Sequence, residues 1–202
     1  MAPAPDPLVG DPIVVVEPHA DDAFLSLGWS IRSWVGEGRR VHIVTVYSDD
    51  PIRHAEAEGW ARQVGASWQG LAMEATPPVG FRLPEQVPSL PSPLLPPEWT
   101  ADGVCRIWPL GLSHPEHVEV SRAARPGDLH YVDTPYQLEV DAQDQVRARL
   151  GGRRIAWWCR PDPAKWLDVG CFTSQALLFE LYPTTLLEGT PEIVVDQGLE
   201  PR

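Results

Sequence analysis

The residues best placed to do chemistry are His19, Asp21 and Asp22, which follow the run Val14-Val15-Val16-Glu17-Pro18 with only Ala20 among them. A β-branched run of this kind reads as a buried strand, and the apolar spacing that begins at Ala23 reads as a helix. The polar group therefore sits at a strand tip, where open α/β sheets collect their ligands. His19 and Asp22 can converge on one divalent cation and leave Asp21 free to move a proton. A second group, His114, Glu116 and His117, also follows a strand, and its imidazoles stand three apart at a helix start, on neighbouring positions of one face. Two imidazoles and a carboxylate with an open coordination position are a catalytic zinc pattern, not a structural one. Either motif alone could be a helix cap or a surface turn. Two such clusters after parallel strands, in a chain with only six histidines, decide for a shared site.

The elements that must position these groups are legible in the same way. Residues 13–17 form a first strand, and Phe24, Leu27, Ile31, Trp34 and Val35 mark a helix with one buried stripe, stopped at Gly36-Glu37-Gly38. Val41 to Tyr47 is the next strand, so the pair is parallel with a right-handed crossover. Ser48-Asp49-Asp50 then lies at a neighbouring tip, ahead of a mostly polar helix from about Arg53 to Val64. Trp68 to Met73 predicts a short strand, Val104 to Trp108 a core strand, and Pro115 to about Ala124 a helix with proline in its first turn. Leu129 to Val132 and Ile155 to Cys159 predict strands, and Ile193-Val194-Val195 an edge strand. Residues 138–150 fit a helix or an extended segment equally. Pro163 to Leu181 predicts a helix with Trp166, Val169, Phe172, Leu177 and Leu181 inward. His42 is expected to be structural, and His54 and His130 to lie on the surface or in a lid. The whole reads as one α/β domain over 1–202 with a mainly parallel sheet. Prolines crowd about 74–100, which predicts an ordered loop or lid at the site's entrance.

Composition narrows the partners. A formal charge of -12 without a basic stripe argues against nucleic acid and anionic membrane surfaces. Cys105, Cys159 and Cys171 are odd in number and lack C-x-x-C spacing, which fits a reducing compartment. Met1 to Asp11 has neither a basic nor an apolar leader region and no long apolar run follows, so a cytoplasmic protein is expected. No G-x-G-x-x-G follows the first strand, which disfavours a dinucleotide-binding module.

Pro18-His19-Ala20-Asp21-Asp22 resembles the A-H-P-D-D motif of the LmbE-like/PIG-L zinc deacetylases. Pro109-Leu110-Gly111-Leu112-Ser113-His114-Pro115-Glu116-His117 resembles the P-L-G-x-x-H-x-D-H motif of the same family. The likeness extends to Leu25-Ser26-Leu27-Gly28, to Arg53 and Glu56 ahead of Val64-Gly65, and to Lys165 followed by Ser174-Gln175. It implies a Rossmann-like three-layer fold and a zinc ion, or another divalent metal such as Fe2+, held by His19, Asp22 and His117. It further implies Asp21 as general base and His114 as the group that hydrogen-bonds the developing oxyanion or protonates the departing amine. The substrate so implied is a small N-acetylated amino sugar or its conjugate. A peptide-like or thiol-conjugate amide and a non-catalytic sugar-binding relative are the alternatives. Glu116 stands where the family has Asp and is expected to orient a histidine from behind. Ala20, Ala23 and Trp29 also depart from the pattern without removing a ligand. Asp49 and Asp50 fit either a solvated turn or a substrate hydroxyl, Arg53 either a surface salt bridge or a sugar contact. Tyr131, Asp133 and Tyr136 occupy a stretch that borders the pocket in the family.

Overall fold

A computed structural model of the chain describes residues 8–74, 86–112, 114–134, 148, 150–151, 153–160, 162–176, 179 and 190–196. Its elements are β1 (Ile13–Glu17), α1 (Asp22–Gly36), β2 (Val41–Tyr47), α2 (Pro51–Val64), β3 (Ser67–Met73), α3 (Pro97–Thr100), β4 (Cys105–Pro109), α4 (Pro115–Arg122), β5 (Leu129–Tyr131), β6 (Ile155–Cys159) and β7 (Glu192–Asp196). Among the described residues the strands make one sheet in the order β3-β2-β1-β4-β5-β7-β6. The first five strands run parallel, and β7 is antiparallel to both β5 and β6. All of β1 is buried, as its unbroken Ile-Val-Val-Val run requires of a strand covered on both faces.

The alternation of side chains along the strands builds two cores. Ile13, Val15, Ile43, Ile107 and Val194 face α1, α2 and the segment that carries Trp166 and Phe172. Val14, Val16, Val44, Val46 and Trp108 face Val120 of α4 and Leu95. The result is a three-layer α/β fold with a mainly parallel sheet. Phe24 stacks on Phe172 with ring centroids 4.9 Å apart, joining α1 to the C-terminal part of the chain.

Three expectations need correction. Ile193 to Val195 belongs to β7, which lies inside the sheet, and β6 forms the edge instead. The expected helix from Pro163 is a 3-10 helix, Pro163–Cys171, that breaks at Phe172 and resumes as one turn, Thr173–Gln175. Three-residue spacing of Trp166, Val169 and Phe172 suits three residues per turn as well as it suits an α-helix. The described part of the Pro-rich segment is an ordered stretch that packs Val87, Leu90, Leu94 and Trp99 around buried Leu95 in the second core. His130 is buried, and its Nδ1 lies 3.0 Å from the Pro109 carbonyl. Residues 75–85, Ser113, Tyr136, most of 138–150, Leu177 and Leu181 lie outside the described residues. No helix among the described residues is long and apolar enough to cross a membrane.

Candidate active site

Adjacent parallel strands bring the two sequence motifs to one edge. The loop after β1 is tied to β2 by the Tyr47 N–H, which donates to the Pro18 carbonyl at 2.9 Å. Asp21 occupies the N-cap of α1, yet its side chain makes no capping bond. It accepts instead from Arg53 Nη2 at 2.7 Å. Asp22 Oδ2 accepts from the His19 backbone N–H at 2.8 Å and lies 3.3 Å from His19 Nδ1 and 3.2 Å from His117 Nε2.

The second motif turns on Gly111. Its φ of 80° is in the left-handed region, and a Cβ there would stand 2.8 Å from Ser121 Cβ, so only glycine fits this close approach to α4. His114 caps α4 through its backbone, Pro115 opens the first turn, and His117 is wholly buried one turn on. The rings of His19 and His117 are 5.3 Å apart between centroids, and those of His19 and His114 5.1 Å.

Two sets of ligand atoms each lie within 4.8 Å of one another: His19, Asp22 and His117, and His19, His114 and Glu116. In the first set, both imidazoles are held from behind by a carboxylate. Glu116 Oε2 lies 2.6 Å from His19 Nε2, and Asp133 Oδ1 lies 3.1 Å from His117 Nδ1. Asp133 is fixed in turn by the Leu112 N–H, which donates to Oδ2 at 2.9 Å. Carboxylate-backed imidazoles are the usual surroundings of a metal-bound histidine, because the backing bond sets the tautomer and raises ligand basicity.

Charge points the same way. Burial works against a cation at His117, but the Asp22 charge and the Asp133 and Asp22 hydrogen bonds outweigh it and push the imidazole up to about 10. Burial likewise opposes ionisation of Asp22, yet His117 and His19 hold its carboxyl well below the usual range. His19 is raised despite burial by hydrogen bonds to Asp22 and Glu116. A donor set that grips protons this firmly presents the charge and the atoms that suit a divalent cation, which binds by displacing them. Asp21 differs: burial raises its carboxyl, and Arg53 only partly offsets that. His114 is held down to about 4 by burial and by His19 and His117, so it is neutral near pH 7.

The other expected residues fall further out. Asp50 accepts from the N–H groups of Ile52 and Arg53 and so caps α2, while Asp49 is exposed. Arg53 reaches inward to Asp21 and not along the helix surface. Tyr131 is fully buried in the first core, where burial and the charges of Asp22 and Asp133 hold its hydroxyl well above the usual range. Glu17 was not singled out by sequence. It is buried at the tip of β1, accepts from the Ala23 N–H at 2.7 Å, and is pushed up to about 8 by burial. Its signal was a carboxylate closing a β-branched strand that is apolar on both faces.

No protein-family model matches the chain, and no curated protein does. Solved structures do match in fold. The deacetylase of the A40926 pseudoaglycone superimposes with a TM-score of 0.59 at 17% identity, covering 91% of this chain and 95% of its own. The zinc-inhibited form of teicoplanin deacetylase gives 0.59 at 14%, over 91% and 96%. A 4-carboxy-2-hydroxymuconate hydratase from Pseudomonas putida gives 0.52 at 15%, over 87% and 84%. One architecture thus carries a deacetylase and a hydratase, so the reaction has to be argued from side chains.

Proposed function

We propose that the chain, as a single domain, is a metal-dependent hydrolase that cleaves an amide C–N bond, removing an acetyl group from an amino sugar or its conjugate. The observation that carries this reading is the pair of carboxylate-backed imidazoles, Glu116 behind His19 and Asp133 behind His117, converging on Asp22. His19, Asp22 and His117 would hold the ion. A divalent ion bound there would polarise the amide carbonyl and make water acidic enough to yield a nucleophile near neutrality. Asp21, beside the ligands but engaged with Arg53, takes the proton from the attacking water and passes it to the departing amine. Such transfer contributes about 10²- to 10⁴-fold. The neutral His114 donates its N–H to the oxyanion that develops as water adds. The deacetylase neighbours support the choice of an acetyl amide.

The test is hydrolysis by purified protein of a panel of N-acetyl sugars, peptide-like amides and thiol conjugates. Release of acetate from the sugars, reduced about 10²-fold or more in Asp21→Ala, is the expected result. Turnover confined to the thiol conjugates or peptides would reassign the substrate, and undiminished turnover in Asp21→Ala would remove Asp21 from its role.

A further inference from the structure

His19 belongs to both candidate ligand sets, and it does so through opposite ring nitrogens. Nδ1 faces Asp22 at 3.3 Å, whereas Nε2 faces Glu116 at 2.6 Å. Glu116 Oε2 is also 3.8 Å from His114 Nδ1, and the rings of His19 and His114 meet edge to face. The second set therefore repeats the donor chemistry of the first, two imidazoles and one buried carboxylate. Its members are almost closed to solvent, with side-chain exposures of 11% for His19, 13% for His114 and none for Glu116.

We propose that His19 Nε2, His114 and Glu116 form a second, weaker cation site, and that an ion bound there switches the hydrolase off. The inference rests on the functional reading above, since the loss it describes is the loss of His114 from the reaction. An ion in this set takes the place of the proton shared by His19 and Glu116, so one proton leaves for each ion that enters. It draws His114 onto the metal and away from the developing oxyanion, and it converts Glu116 from a support of His19 into a ligand. The second site is the weaker because its ion sits on the same imidazole as the first, and like charges held so close repel. Activity consequently rises with metal as the first set fills and falls as the second does.

The test uses the full chain stripped of metal by chelation and titrated with zinc chloride in a calorimeter, with amide hydrolysis followed over the same range. Wild type should bind two ions in sequence, with activity falling about 10²-fold as the second fills, the size expected for losing one oxyanion donor. Glu116→Gln, which keeps an acceptor for His19 but loses the charge, should bind one ion, and its own activity should show no falling limb over the range that inhibits wild type. His114→Ala, at the least buried of the three, gives the same single-ion stoichiometry should Glu116→Gln not fold. A wild type that stops at one ion, a second ion that survives both substitutions, or undiminished activity as the second ion binds would overturn the proposal. A chain that hydrolyses no amide at any zinc level defeats the hydrolase reading, and the second binding site is then decided by the calorimetric stoichiometry alone.

Discussion

Two buried ionic clusters touch α1, one at its first residues and one along Leu25 to Ser30, and they differ in how their charge is balanced. Along the helix, Lys165 is 1% exposed and donates to Glu192 Oε1 at 2.7 Å and to the Leu25 carbonyl at 2.8 Å. Glu192 also accepts from the backbone of Trp29 and Ser30 and from Ser30 Oγ. The Lys165 ammonium lies 4.6 Å from the Trp166 ring, and Gly28 leaves the room its side chain needs. One cation meets one anion there, and the remaining lone pairs of Glu192 are filled. At the sheet edge, Asp21, Asp22, Glu116, Asp133 and Glu17 crowd around imidazoles, and Arg53 is a permanent cation that pairs with Asp21. The first cluster is complete and holds the chain together. The second is balanced by protons held on His117, His19 and Glu17, and protons held on ligand atoms are what a metal ion displaces.

Breaking the balanced cluster should have the largest effect on stability. Lys165→Met leaves Glu192 buried without its cation and should cost about 3–5 kcal/mol of stability by denaturant unfolding. Adding Glu192→Gln should recover part of that loss, because the two residues act as a pair. Strict additivity of the two changes would mean that they are not coupled.

Removing one carboxyl from the crowded edge tests the other side of the contrast. Glu17 is raised from 4.5 to about 8 by burial, so the folded chain keeps a proton that the unfolded chain releases between those values. Its contribution is therefore fully present below about pH 4.5 and is lost as pH rises to about 8. Unfolding measured at pH 5 and pH 8 should show wild type losing more stability than Glu17→Gln, by on the order of 2 kcal/mol or more. Parallel pH profiles would contradict the assignment. A smaller change, Asp133→Asn, keeps the shape behind His117 but not the charge. It should weaken metal affinity about 10- to 100-fold, and unchanged affinity in a metal-competition assay would detach Asp133 from the site.

Much of this arrangement is legible in the sequence, for local reasons. The β-branched runs at 13–17 and 41–47 could only be buried strands, and polar residues immediately after them could only meet at one edge. What is not local is not legible. The insertion of β7 between β5 and β6 depends on pairing between distant segments, and nothing in Ile193 to Val195 records it. The backing role of Asp133 depends on His117 facing it, although its place just past β5 obeys the same strand-tip logic as His19 and Asp22. Glu192 is ordinary in sequence and becomes essential only where α1 offers it Trp29 and Ser30.

Metal content, measured by elemental analysis after dialysis to remove loosely held ions, tests the central claim most directly. Wild type and Asp21→Ala should each retain close to one divalent ion per chain, and His117→Ala close to none. A wild type that retains no ion, or a His117→Ala chain that retains a full equivalent, would contradict the account.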